Sequence, residues 1–187
     1  DKGIQQVLDF LALDQKRNAR DNHRFTLHHM GYYTDDMAQE IKDLGVEASV
    51  NPYYLWALAD KYSENGLGKE RGENLVRINS LVKRDIPVSF HSDFSMAPME
   101  PLTLAWTAIN RVTSANNSLS QDQKISVYDA MKAITIDAAR TLNLEKQIGS
   151  IAAGKRANLV ILNENPFSVD PMEIKNIKVL ATVFEGD

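Results

Sequence analysis

The chain has 187 residues, 43% of them hydrophobic and 25% charged, a composition typical of a globular domain rather than a disordered or fibrous protein. Its formal net charge is −4 with no block of Lys or Arg, so we expect no nucleic-acid partner. Cysteine is absent, so any metal ion must be bound by His and carboxylate side chains. No apolar run approaches a membrane span, so we expect a soluble protein with no membrane partner. The compartment stays open, and a cytoplasmic location is favoured.

The first half of the chain alternates between helical and strand-like patterns. Apolar residues at helical spacing predict a helix from Gly3 to Leu13. Residues 24–30 (RFTLHHM) predict a strand. A second helix begins after Thr34 as N-cap and ends at Gly45. Residues 46–50 predict another strand, which stops at Asn51-Pro52.

The second half begins with a long glycine-containing loop, and its character changes near residue 145. The loop leads to a predicted helix over residues 73–83, and a third strand covers residues 87–92. A helix follows over residues 101–112. Ser120 and Gln123 form a capping-box pattern for a helix that runs to about Leu142. Beyond that, residues 150–162 and 178–184 predict strands. We therefore divide the chain into segments 1–145 and 146–187.

The three early strands have one apolar and one polar face. Strand–helix alternation predicts an α/β fold with a parallel sheet. Because side chains alternate along a strand, the polar faces end in His28, Asn51 and Asp93. Such polar faces suit the inner wall of a (β/α)₈ (TIM) barrel, where catalytic groups gather at the carboxyl ends of the strands. Since three strands cannot close a barrel, we expect the carboxyl-terminal part of one.

His and Asp side chains at neighbouring strand ends suggest metal-assisted hydrolysis. Imidazole and carboxylate oxygen suit Zn, Mn or Fe. A bound metal ion of this kind activates water and polarises a carbonyl group, and a nearby carboxylate can carry the water's proton to the leaving nitrogen.

The residues around these strand ends resemble the amidohydrolase superfamily. FHSDFSMAPMEPL (90–102) is similar to its strand-8 segment, RFTLHHM to strand 6 and DLGVEASVNPYYLW (43–56) to strand 7. The most similar branch contains formamide- and N-acyl-amide-type hydrolases, some of them named exoenzyme regulatory proteins. IGSIAAGKRANLVILNENP (148–166) and VLATVFEGD (179–187) resemble the small β-sandwich beside the barrel. The resemblance implies strands 6–8 with their helices, followed by a β-sandwich segment.

The resemblance also implies roles for individual residues. Asp93 would be a metal ligand and the general base, and His28 a metal ligand or the group that polarises the substrate carbonyl. The expected cofactor is a divalent metal, zinc before manganese or iron, and the expected substrate is a small amide-type molecule. Two departures are Met30, where Gln is usual, and Asn158, where Asp is common.

The metal ligands that the family places on earlier strands are absent from these 187 residues, and Asp1-Lys2-Gly3 is similar to the end of the strand-5 motif. We therefore expect a fragment that is inactive alone, because three protein ligands are typical of a catalytic metal site. Its open sheet edges also predict a homo-oligomer.

Several interpretations stay open at this stage. His91 shares the face of Asp93 and, with Asn51, is a candidate for binding substrate. His29 has the opposite parity and is expected to contact the helix layer. The aromatic residues after Asn51, among them Tyr54, can shape a pocket or simply pack in the core. The alternative function is a regulatory or interaction module that keeps the fold and has lost the chemistry.

Overall fold

The computed structural model describes residues 1–187, and it shows an α/β fold built on a small parallel sheet. Strands β1 (Thr26–His29), β2 (Glu47–Val50) and β3 (Val88–Phe90) lie in the order β1-β2-β3, and both pairs are parallel. The α/β class and the parallel pairing expected from the sequence are confirmed. A separate antiparallel pair is formed by β4 (Leu159–Leu162) and β5 (Val179–Val183).

Eight α-helices surround the sheet or connect its strands. None of them is long and apolar enough to span a lipid bilayer. Two short 3-10 helices, at Gln121–Gln123 and Pro171–Asn176, complete the regular structure. The α-helices are α1 (Lys2–Arg17), α2 (Asp35–Asp43), α3 (Tyr53–Glu64), α4 (Lys69–Glu73), α5 (Ile78–Val82), α6 (Pro101–Asn110), α7 (Val127–Ala133) and α8 (Ile136–Thr141).

The first two helices form as their sequence patterns predict. Helix α1 buries Leu8 and Leu11 against the core. Helix α2 begins after Thr34, whose hydroxyl accepts a hydrogen bond from the amide of Met37 at 3.3 Å. This contact satisfies one of the amides that a helix start leaves without a partner.

Two helical predictions in the middle of the chain are wrong in detail, and one observed helix was not predicted. Helix α3 has no counterpart in the sequence prediction. The helix predicted over residues 73–83 is observed only as the five-residue α5, because α4 ends at Glu73. The helix predicted from Ser120 to about Leu142 begins later, at Val127, because Ser120 has a φ of 39° and does not cap. It is also divided into α7 and α8. Ser126 caps instead, accepting from the amide of Asp129 at 3.0 Å. A capping side chain needs extended backbone, which Ser126 has.

The sheet register brings the predicted polar residues into rows. His28 pairs with Ser49, and Ser49 pairs with Ser89, so these three side chains point to one face. This face is covered at the amino ends of the strands, where Glu47 is 4% exposed. Its carboxylate accepts hydrogen bonds from Arg140 of α8 at 2.8–2.9 Å. The strands are therefore buried on both faces there and open towards their carboxyl ends.

One buried cation stabilises the core beside α6. Arg111 follows this helix and is 1% exposed. Its guanidinium donates to the carbonyl oxygens of Leu75, Val76 and Leu119 at 2.6–3.0 Å. Burial lowers the pKa of Arg111 to about 10, so the side chain is charged at neutral pH. It therefore fixes the α4–α5 connection to the segment after α6.

The carboxyl-terminal segment is attached to the main core by its 3-10 helix. Trp106 donates its indole N–H to the carbonyl of Met172, and Asn110 donates to the carbonyl of Pro171, both at 2.9 Å. Ile174 is fully buried in the main hydrophobic cluster. By contrast, much of the apolar surface of β4 and β5 is exposed.

Candidate functional site

Three side chains meet beyond the carboxyl ends of β1 and β3. His29 is the last residue of β1, Asp93 follows β3, and Tyr54 lies in the first turn of α3. The Tyr54 hydroxyl donates to Asp93 Oδ2 at 3.3 Å and lies 3.0 Å from His29 Nδ1. His29 Nδ1 itself lies 3.7 Å from Asp93 Oδ2. Both the His29 and Asp93 side chains are about half exposed, so the cluster is open to solvent.

The hydrogen bonds in this cluster indicate which atoms of His29, Tyr54 and Asp93 carry protons. Burial, and then the negative charge of Asp93, raise the pKa of Tyr54 above its usual value, so the hydroxyl stays protonated. Because Tyr54 donates its proton to Asp93, the His29 tautomer that fits this network is the one that carries its proton on Nδ1. In the neutral imidazole this leaves the lone pair on His29 Nε2 outside the network. That nitrogen is available to a ligand or a metal ion.

His91 lies at the same edge, but its nitrogen is already used. His91 Nε2 accepts a hydrogen bond from the backbone amide of His29 at 3.3 Å. The ring of His91 meets that of His29 edge-on, with centroids 4.9 Å apart. Burial, followed by the neighbouring His29 and His28, lowers the pKa of His91 below its usual value. A neutral His91 therefore supports the end of β1, and its contact with substrate stays a prediction.

The structure places His29, not His28, next to Asp93. The ring of His28 is exposed, and its centroid lies 6.0 Å from that of His91. The backbone of His29 has a φ of +72°, which takes this residue out of the regular strand conformation. His29 contacts a helix residue, as its strand parity predicted, because its ring stacks on that of Tyr54 with the ring centroids 6.3 Å apart. The catalytic and metal-binding roles of His28 stay a prediction, and the contacts of His29 with Tyr54 and Asp93 make His29 a second candidate for them.

Asn51 sits beneath this cluster with no exposed surface. Its side-chain oxygen accepts from the amide of Tyr53 at 3.0 Å, and its nitrogen donates to the carbonyl of Ser92 at 3.3 Å. These bonds orient the start of α3 and the loop that carries Asp93. The structure thus gives Asn51 a positioning role, and direct contact with a substrate stays a prediction.

The donor chemistry of the cluster suits a divalent metal, but its ligand number is incomplete. Imidazole nitrogen and carboxylate oxygen are ordinary ligands of Zn, Mn and Fe. No group of three or more His, Asp or Glu side chains in residues 1–187 is arranged to hold a metal ion. His29 and Asp93 therefore offer two ligands where a catalytic site typically uses three from protein.

Comparison with known proteins agrees on one family. A family model described as "Amidohydrolase family" matches residues 1–187. N-substituted formamide deformylase of Arthrobacter pascens is 30% identical over 98% of this chain and 34% of its own length. Protein LONG AFTER FAR-RED 3 of Arabidopsis thaliana is 30% identical over 100% of this chain and 32% of its own. The chain thus spans about a third of these relatives.

Among solved structures, an uncharacterized metal-dependent hydrolase from Pyrococcus horikoshii OT3 superimposes with a TM-score of 0.72 and 25% identity. The superposition covers 89% of this chain and 33% of that one. With the match over all 187 residues, these similarities show that the chain belongs to the amidohydrolase family.

Proposed function

We propose that this chain is part of a metal-dependent amidohydrolase that cleaves the C–N bond of a small amide or N-acyl compound. The observation that carries the proposal is the hydrogen-bonded cluster of His29, Tyr54 and Asp93 at the carboxyl ends of β1 and β3. It combines a carboxylate, a free imidazole nitrogen and a phenolic hydroxyl in one open site. The name of the A. pascens relative, a formamide deformylase, supports a C–N bond as the target.

Asp93 is the proposed general base. Its carboxylate would take a proton from the attacking water and return it to the leaving nitrogen as the C–N bond breaks. Tyr54 donates to the same oxygen that faces His29, so it orients the carboxylate and restricts its rotation. His29, held by its Nδ1–H, would present Nε2 to the metal ion or to the substrate carbonyl oxygen.

The implied metal ion would be held in part by His29 Nε2 and the Asp93 carboxylate, with zinc favoured and manganese or iron as alternatives. When bound, it would lower the pKa of a water molecule and polarise the carbonyl group. The metal-dependent hydrolase from P. horikoshii supports this part of the proposal.

We propose as well that the three-stranded sheet is a section of a (β/α)₈ barrel. Its parallel order, its polar row and the position of the cluster beyond the carboxyl ends of the strands support this assignment. The remaining strands and metal ligands would then belong to the rest of a longer protein. The relatives support this, because they are about three times as long as the 187 residues.

The test is amide hydrolysis by the whole protein that carries this chain, with Zn²⁺, Mn²⁺ or Fe²⁺ added to metal-free protein. Replacing Asp93 by Asn keeps the size of the side chain and removes its basicity. The expected loss of kcat is about 100-fold or more, with an unchanged circular dichroism spectrum.

The two adjacent histidines provide a matched control. His29→Asn should reduce both activity and the amount of bound metal, whereas His28→Asn should leave both nearly unchanged, because only His29 contacts the Tyr54–Asp93 pair. Full activity of Asp93→Asn would remove the proposed base. Greater sensitivity at His28 than at His29 would overturn the assignment of the histidine.

A further inference from the structure

An apolar cavity lies directly beside the cluster of His29, Tyr54 and Asp93. Its volume is about 410 Å³, within the range of small-molecule sites. Tyr54 connects the two, because its ring lines the cavity while its hydroxyl contacts Asp93. Met96 also lines the cavity, and its amide donates to the carbonyl of Asp93 at 2.6 Å. The cavity and the cluster therefore share Tyr54 as a common side chain, and Met96 joins the cavity wall to the loop that carries Asp93.

The wall of the cavity is aromatic and aliphatic. Besides Tyr54 and Met96 it is formed mainly by Tyr32, Leu58, Tyr62 and Leu67, and it includes no acidic or basic side chain. A charged group placed there would lose its hydration without gaining a counter-charge. Aromatic side chains favour flat apolar rings as partners. The wall therefore selects a neutral, apolar substituent and prefers a ring.

Gly31 keeps part of this space open. It follows His29 by two residues, and its carbonyl accepts from the amide of Val76 at 2.8 Å, which fixes the backbone there. A Cβ on Gly31 would meet one neighbour within 4 Å, Tyr54 Cδ2 at 3.8 Å. A larger side chain at this position would therefore extend into the cavity instead of clashing with the backbone.

We propose that this cavity, here called the tyrosine pocket, binds a neutral aromatic or bulky apolar substituent of the amide substrate. The inference rests on the proposed function, since it places the scissile amide at His29 and Asp93. The pocket then determines which amides are accepted, while the cluster performs the chemistry.

Binding of two amides that differ by one ring tests the pocket without requiring turnover. N-benzylacetamide and N-methylacetamide are titrated into the protein, and the ¹³C-methyl resonance of Met96 is followed by NMR. We expect the benzyl amide to shift this resonance and to bind about 10-fold to 100-fold more tightly, as burial of a phenyl group predicts. Equal affinities, or an unmoved Met96 resonance, would overturn the inference.

Variants separate filling of the pocket from damage to the fold. Gly31→Leu should remove the preference for the benzyl amide. Ala153→Leu, at an exposed position in the carboxyl-terminal segment, should keep it. Leu58→Ala should enlarge the pocket and shift the preference towards N-(naphthylmethyl)acetamide, a gain that a misfolded protein would not show. An unchanged order of affinities in both Gly31→Leu and Leu58→Ala would contradict the assignment.

The readouts also distinguish this inference from the proposed function. If the benzyl amide binds as expected but no amide is hydrolysed by the metal-loaded whole protein, the pocket is supported and the proposed hydrolysis fails. If amides are hydrolysed with no difference between benzyl and methyl compounds in kcat/KM or affinity, the hydrolysis stands and the pocket fails.

Discussion

Gly72 in α4 offers a sharp test of how tightly this helix packs on α3. A Cβ built on Gly72 would lie 2.3 Å from Ser63 Oγ, 2.6 Å from its backbone nitrogen and 2.7 Å from its Cα. The serine side chain can rotate away from a new methyl group, but the backbone of α3 cannot. Gly72→Ala therefore requires the two helices to separate.

The expected cost follows from two opposing effects. Alanine is favoured over glycine inside a helix by about 0.5–1 kcal/mol. Overpacking against a rigid backbone costs about 1–3 kcal/mol. The overlap at Gly72 is with main-chain atoms, so the second effect should dominate. We expect the free energy of unfolding to fall by about 1–2 kcal/mol.

The measurement is urea unfolding followed by circular dichroism, with Gly3→Ala as the matched control. Gly3 is also helical, and a Cβ there has no neighbour within 4 Å, so this variant should be as stable as the original protein or slightly more stable. If Gly72→Ala unfolds at the same or a higher urea concentration than Gly3→Ala, the close approach of α3 and α4 is refuted.

Three further predictions concern charge and association. Arg111→Met should lower the free energy of unfolding by about 3 kcal/mol or more, because three buried carbonyl oxygens lose a charged donor. A loss below about 1 kcal/mol, measured by urea unfolding, would contradict this prediction. Burial raises the pKa of Asp137 despite the opposing charge of Lys132, so the folded protein favours the protonated carboxyl group. The stability that this preference contributes is present at acidic pH and is lost as the pH rises through the pKa of the folded state. The difference in melting temperature between Asp137→Asn and the original protein should therefore favour the variant more at pH 7 than at pH 3. A difference that does not change with pH would disprove this prediction. The 187-residue chain alone should form dimers or larger assemblies through exposed apolar surface such as that of β4 and β5, and light scattering that gives 21.0 kDa would argue against this.

The sequence predicted the sheet well because its signals are local. Alternating residues and strand-ending polar groups were enough to place β1, β2 and β3 and to identify Asp93 as a residue of interest. The register then confirms the shared face of His28, Ser49 and Ser89. Period-two alternation is a property of extended backbone, so it holds wherever the strand is regular.

The same rule did not anticipate that His29 lies beside Asp93, because the backbone changes at the strand end. The positive φ of His29 is not visible in a sequence pattern, so strand parity favoured His28 and assigned His29 to the helix layer. The role of Tyr54 was equally hidden, since it depends on α3 crossing the end of β3, a tertiary contact. Helix α3 itself was missed because Asn51-Pro52 reads as a strand breaker, although Pro52 is also the N-cap of that helix.

The attachment of the 3-10 helix Pro171–Asn176 to α6 has a thermodynamic consequence. Ile174 and Ile177 belong to the same hydrophobic cluster as the sheet and α6. Two segments that share one core cannot melt independently, because loss of either exposes apolar surface of the other. Residues 1–145 and 146–187 should therefore unfold together in a single calorimetric transition. Removal of the second segment would leave the indole N–H of Trp106 without its partner and would expose one face of α6 to solvent.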